Sequence, residues 1–220
     1  MVTLDARPAP IEIDPEHSAL VVVDMQNSFA SKGGMFDLAG IDISGAAAAV
    51  EATARLLPAA RKAGIAVIYL QMGFPPGLGV GADPSRPVYH KELALILMRA
   101  RPELKLLIEG SWDWQIVDEL TPEPGDTVIG KTRYSGFAHT TLDAHLSEMG
   151  IRHLLFTGIA TNICVESTAR DAYFHDYFPI LVEDAMNGSG PAANAQATLW
   201  NFEHALGWVS DSAKVIRALG

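Results

Sequence analysis

A chain of 220 residues with 49% hydrophobic and only 19% charged residues is long and apolar enough to bury one sizeable core. Its formal net charge of -10 repels phosphate backbones and anionic bilayers, which sets aside nucleic acid and lipid surfaces as partners and leaves a small neutral or anionic substrate held by local charge. The single cysteine, Cys164, excludes an internal disulfide; no apolar run approaches the ~20 residues of a membrane span, and MVTLDARPAP lacks a secretory signal pattern, so a cytoplasmic location is expected.

Along the chain, residues 19–23 read as a buried strand and 43–63 as a helix with apolar residues at three- and four-residue spacing, stopped by Gly64. A second strand is expected at 65–70. From 71 to 110 Gly and Pro recur, followed by an amphipathic piece at 91–99; a segment this long without clear elements is expected to be a lid or a subunit contact. A helix is expected at 114–120, a third strand at 127–129, a helix at 140–149 ended by Gly150, and a fourth strand at 153–156. Helix 162–177, strand 180–182, helix 191–206, a sixth short strand at 207–210 and a terminal helix at 211–218 follow. Strand and helix alternating at this spacing predict βαβ units. The expected fold is therefore a single α/β domain over 1–220, a three-layer α/β/α sandwich around a mainly parallel sheet of about six strands.

Sites in such sheets form outside the carboxyl ends of the strands. Three polar residues fall there: Asp24 in LVVVDMQNSF, Lys131 in TVIGKTRYSGF, and Cys164 in TGIATNICVES. Alone, Asp24 could cap a turn, Lys131 could be a solvated charge and Cys164 a small core residue. Together they suit nucleophilic catalysis. A thiol near a helix N-terminus is activated by unpaired amides and a neighbouring ammonium, and a carboxylate within reach can take its proton and return it to a leaving amine. The N–H groups of Ala160 and Cys164 are candidate oxyanion donors. Candidate substrate contacts are Gln71, after the second strand, and Tyr134, with Phe29, Met35 and Phe74 as apolar walls. No metal and no cofactor is expected: His139 and His145, flanking Asp143, are six residues apart rather than the three or four that share a helix face, and there is no HExxH, phosphate loop or dinucleotide fingerprint.

The stretches VVVDMQNSF, GKTRYSGF and TGIATNICVESTARDA resemble the isochorismatase-like cysteine hydrolases over nearly the whole chain. The resemblance implies a catalytic triad of Asp24, Lys131 and Cys164 and a cis peptide between Ile159 and Ala160 that turns the Ala160 N–H toward an oxyanion. Within the family, GGMFDLAGIDIS, HKELAL, EGSWDWQIVDELTPEPGD and GWVSD are most similar to the ureidoacrylate amidohydrolases of pyrimidine degradation, implying cleavage of (Z)-3-ureidoacrylate or its peracid to carbamate and an aminoacrylate. Met72 and Phe74 stand where that group often has Asn and Trp, which leaves biuret, N-carbamoyl compounds or another small amide open as substrates. A non-catalytic binding protein is the remote alternative, and a homo-oligomer, dimer or tetramer, is expected.

Overall fold

A computed structural model describes residues 1–220. Six strands form one parallel sheet in the order β5-β4-β3-β6-β7-β8, where β3 is Ser18–Val23, β4 Ala66–Met72, β5 Thr127–Lys131, β6 His153–Ile159, β7 Phe178–Asn187 and β8 Trp208–Ser210. A short antiparallel hairpin, β1 (Val2–Leu4) with β2 (Ile11–Ile13), precedes it. The hairpin loop is joined to β8 by reciprocal Arg7–Val209 backbone bonds, and the Arg7 guanidinium spans Glu183 at 2.9 Å and Glu203 at 3.0 Å.

The two faces of the sheet explain why its strands read as continuous apolar runs. In β3, Leu20 and Val22 join one hydrophobic cluster while Ala19, Val21 and Val23 join the other, so every residue of the strand is buried. On the first face lie the short helices α1 (Asn27–Ala30) and α2 (Met35–Leu38), the long α3 (Ala46–Lys62) and the terminal α9 (Ser212–Leu219). Segment 73–110 adds α4 (Pro87–Lys91) and α5 (Leu93–Ala100) to this side, while α6 (Leu142–Glu148), α7 (Glu166–Phe174) and α8 (Ala192–Asn201) cover the other. Each Leu or Val removed from water in these layers stabilises the fold by roughly 1.5–3 kcal/mol. No helix is long and apolar enough to cross a membrane.

The strands match their sequence signals, and β4, β5, β6 and β7 run further at their carboxyl ends. The stretch expected to be a helix at 114–120 is not one: a turn at Trp114 and a bend at Gln115 lead to a single bridge between Ile116 and Gln26, followed by one 3-10 turn at Asp118–Leu120. Its backbone is claimed by the loop after β3, since Asn27 N donates to Gln115 O, Val117 N donates to Met25 O, and the Gln26 and Gln71 side chains both donate to Trp114 O. With the Val117 N–H given to Met25 O and both acceptor sites of Trp114 O taken by side chains, these groups are withdrawn from the i to i−4 ladder of a helix. The expected helix 162–177 begins with a π-type turn, Thr161–Val165, before α7, and the expected helix 191–206 ends in a second one, Phe202–Leu206.

Segment 73–110 is folded onto the body of the chain. Phe74 N donates to Leu107 O and Glu109 N to Phe74 O, which ties its two ends together, and Phe74, Leu95 and Leu107 are fully buried. Its helix α5 places Leu93 and the preceding Glu92 over the carboxyl ends of the central strands.

Candidate active site

The strand order reverses between β3 and β6, each leading a run of strands in opposite directions, and this is the crevice where open α/β sheets bind ligands. Asp24 follows β3 and the turn carrying Cys164 follows β6. Beside them, Met72 and Lys131 end β4 and β5 as directly paired residues. Sheet register alone therefore brings the three sequence candidates to one point.

At that point the Lys131 Nζ lies 2.6 Å from Asp24 Oδ2, both side chains fully buried. The ammonium also donates to Arg133 O at 3.1 Å. Asp24 takes a left-handed backbone, φ 51°, which its short polar side chain tolerates, and its Oδ1 accepts from Met72 N at 3.0 Å. Cys164 is 4% exposed, and its thiol lies within the electrostatic field of both Lys131 and Asp24. Gln26 fastens this corner: its amide oxygen accepts from Met72 N at 2.8 Å, and its Nε2 donates to Met72 O and Trp114 O.

The turn between β6 and Cys164 is tightly constrained. Gly158 has φ 134° at a register shift between β6 and β7, and a Cβ there would collide with Val23 O of the neighbouring strand. The Ile159–Ala160 peptide is cis. Ala160 O accepts from the amides of Ile163 and Val165, whereas the Ala160 N–H takes no part in the turn's backbone bonds. Thr168 holds the far side, donating to Cys164 O at 2.7 Å and accepting from Gly136 N at 3.0 Å, so α7 and the loop after β5 are fixed to one another.

Burial pushes the Cys164 thiol well above its ordinary value, opposed by the field of Lys131. Burial likewise raises Asp24 despite the adjacent ammonium, making it a stronger base than a solvated carboxylate. For Lys131 burial works against the charge, yet Asp24, Cys164 and Glu92 together leave its pKa raised, so it stays an ammonium. Thiol, carboxylate and ammonium sum to zero charge, and so do thiolate, carboxylic acid and ammonium. Moving the proton from Cys164 to Asp24 therefore adds no net charge to the buried cluster.

The thiol borders a cavity of about 70 Å³ lined by Phe29, Met35, Met72, Tyr134, Ala160 and Glu92 among others. Of the residues expected there from sequence, Phe29, Met35 and Tyr134 line it. Gln71 and Phe74 do not: the Gln71 amide donates to Trp114 O at 3.0 Å, and Phe74 is wholly buried under segment 73–110. The alternation of β4 explains Gln71, since its neighbour Met72 takes the face toward the thiol. No group of three or more His, Cys, Asp or Glu side chains is arranged to hold a metal ion.

Glu92 is the functional candidate that the sequence did not single out. It is 3% exposed, borders the same cavity as Cys164, and its Oε2 has no hydrogen-bond partner. Burial pushes its pKa up from 4.5 to about 7, against the opposing influence of Lys131 and of the Tyr134 hydroxyl, with Asp24 adding a smaller upward push. The only signal in the sequence is a carboxylate directly before the apolar run LALILM, and nothing local distinguishes it from a helix-capping residue.

Because the folded-state value lies above the unfolded one, the native chain retains this proton between pH 4.5 and about 7 while the unfolded chain has lost it. The contribution of Glu92 to stability therefore falls as pH rises through that window, by up to about 3 kcal/mol. Glu92→Gln should raise the urea midpoint relative to wild type at pH 8, with the difference shrinking toward pH 4.5. An equal difference at both pH values would show that Glu92 does not titrate in this way.

Residues 18–214 match the isochorismatase domain family. The chain belongs to that family. Among curated isochorismatase-family relatives, a protein named ureidoacrylate amidohydrolase RutB from Klebsiella pneumoniae is 52% identical over 221 residues, covering 100% of this chain and 94% of its own length. A Methylorubrum extorquens protein of the same name is 51% identical and covers 99% of this chain and 89% of its own. Among solved isochorismatase-like structures, a cysteine hydrolase from Pseudomonas syringae pv. phaseolicola superposes with a TM-score of 0.79 at 28% identity, over 94% of each chain. N-carbamoylsarcosine amidase from Thermoplasma acidophilum does so with a TM-score of 0.67 at 27% identity, over 89% of this chain and 96% of its own.

Proposed function

We propose that this chain is a cysteine amidohydrolase that cleaves the ureido group of (Z)-3-ureidoacrylate or its peracid to carbamate and an aminoacrylate, with Asp24, Lys131 and Cys164 as its triad. The observation that carries the reaction is a buried thiol, within the field of a lysine-paired carboxylate, bordering a cavity at the sheet's reversal point. The substrate rests on identity of 50–52% to proteins named for that activity, along the length of the chain.

Asp24 takes the thiol proton as Cys164 Sγ attacks the ureido carbonyl carbon. The negative charge that gathers on the carbonyl oxygen meets the amides of Ala160 and Cys164. The tetrahedral intermediate collapses by breaking the bond from carbon to the vinyl nitrogen, and the departing amine takes the proton from Asp24. A water molecule, deprotonated by the same carboxylate, then attacks the carbamoyl thioester, and carbamate leaves as the thiol is restored. Throughout, Lys131 keeps Asp24 in place and balances the charge.

A second reading, a related amide such as biuret or an N-carbamoyl compound, is favoured by Met72, which brings a thioether into the cavity wall. The test is ammonia release from ureidoacrylate, biuret, N-carbamoyl-β-alanine and nicotinamide. Turnover of ureidoacrylate above all others is expected; preference for biuret or an N-carbamoyl amino acid would transfer the same chemistry to that substrate.

A further inference from the structure

The cavity at Cys164 does not end at its apolar walls. A second, more open cavity of about 210 Å³, lined by Pro87, Val88, Lys91, Glu92, Arg133 and Tyr134, shares Glu92 and Tyr134 with it. The inner space is small and adjoins the outer one at Glu92 and Tyr134, so a substrate longer than a ureido group can extend past these two residues into the outer cavity.

The two spaces differ in the charge they offer. Glu92 is the only ionisable side chain bordering the inner cavity apart from Cys164 and Tyr134. Its Oε2 is a buried acceptor with no partner, an arrangement that is unfavourable until something donates to it. The nearby cation Lys131 cannot serve a substrate, being committed to Asp24. In the outer cavity the balance reverses. Arg133 donates through Nη1 to Thr132 O at 2.9 Å and to Thr132 Oγ1 at 3.0 Å, and neither it nor Lys91 forms an ion pair with any carboxylate of the chain.

We infer that Glu92 and Arg133 read opposite ends of the substrate: Glu92 accepts from the N–H groups of the ureido end beside Cys164, and Arg133 holds the carboxylate in the outer cavity. This rests on the ureidoacrylate reading, whose substrate has N–H donors at one end and an anion at the other. The polarity also sets the direction of binding. A carboxylate pointing inward would face Glu92 in an apolar space, whereas pointing outward it meets a guanidinium able to grip both oxygens. Tyr134, with its hydroxyl donating to Lys91 O at 3.2 Å, stands at the junction as a wall common to both spaces.

The experiment compares ureidoacrylate with its uncharged counterpart 3-ureidoacrylamide in wild type, Arg133→Gln, Glu92→Gln and Glu92→Leu. Arg133→Gln should raise KM for ureidoacrylate roughly tenfold or more and leave the amide within about twofold. Glu92→Leu should lower kcat/KM for both substrates by roughly tenfold, and Glu92→Gln, which keeps an acceptor oxygen, should recover part of that loss. Arg133→Gln acting equally on both substrates, or not at all, would overturn the carboxylate assignment; unchanged kinetics in Glu92→Leu would overturn the ureido one. A wild type that leaves ureidoacrylate intact while hydrolysing another amide would overturn the substrate reading and the Arg133 assignment with it, and the effect of Glu92→Leu on that other amide would still decide the first assignment.

Discussion

Cys164→Ser is expected to lose at least about a thousandfold in kcat while folding as the wild type does. The substitution exchanges one atom at a buried position that borders the small cavity and sits in the field of Asp24. What changes is acidity: a hydroxyl gives up its proton far less readily than a thiol, and burial that already raises the thiol penalises an alkoxide further. Asp24 would then be asked to hold a proton against a much stronger conjugate base. Single-turnover mass spectrometry supplies the complementary observation, a carbamoyl adduct on Cys164 of the wild type. Full turnover by the serine or alanine variant would remove Cys164 from the mechanism.

Lys131→Met is expected to be the most destabilising of the site substitutions, by about 3–5 kcal/mol near neutral pH. Nothing else near Asp24 carries a positive charge, so its carboxylate would be left buried and unpaired. The chain can answer only by keeping Asp24 protonated. Its folded-state pKa, already raised by burial, would rise further, and stability would be lost as pH increases from the ordinary carboxylate range through that higher value. Urea denaturation at pH 5 and pH 8 measures this, the deficit being larger at pH 8. Adding Asp24→Asn should restore much of the stability, since the charge to be compensated is gone, and none of the activity. If the single variant were as stable as wild type at both pH values, the ion pair would not be what holds this corner together.

How much of this was legible in the sequence depends on how local the cause was. The strands β3, β4 and β6 announce themselves because both faces of the sheet are covered, which forces uninterrupted apolar residues. Asp24, Lys131 and Cys164 could be located because strand ends are visible in a sequence and parallel register aligns them. The stretch 114–120 has helical spacing, yet side-chain amides from Gln26 and Gln71, distant in sequence, occupy its backbone. Gln71 and Met72 are adjacent and could not be told apart until the pleat assigned each to a face. Phe74 carries the composition of a pocket wall and is instead the anchor of segment 73–110. Glu92 was unreadable for the opposite reason: its significance lies in what fails to reach it, an absence created by the packing of α5 over the sheet.

The order in which the sheet is built has a consequence for how the chain comes into being. Asp24 lies near the start of the chain, its lysine partner is 107 residues later, and Cys164 comes later still, on the far side of the central strand. A chain emerging from the ribosome can pair β3 with β4 and then β5 long before β6 exists. Until β6 docks along β3, that edge of the central strand is unpaired and Asp24 has no thiol beside it. The nucleophile is thus the last member of the triad to arrive, and a chain that stops short of β6 and the turn after it carries no competent site.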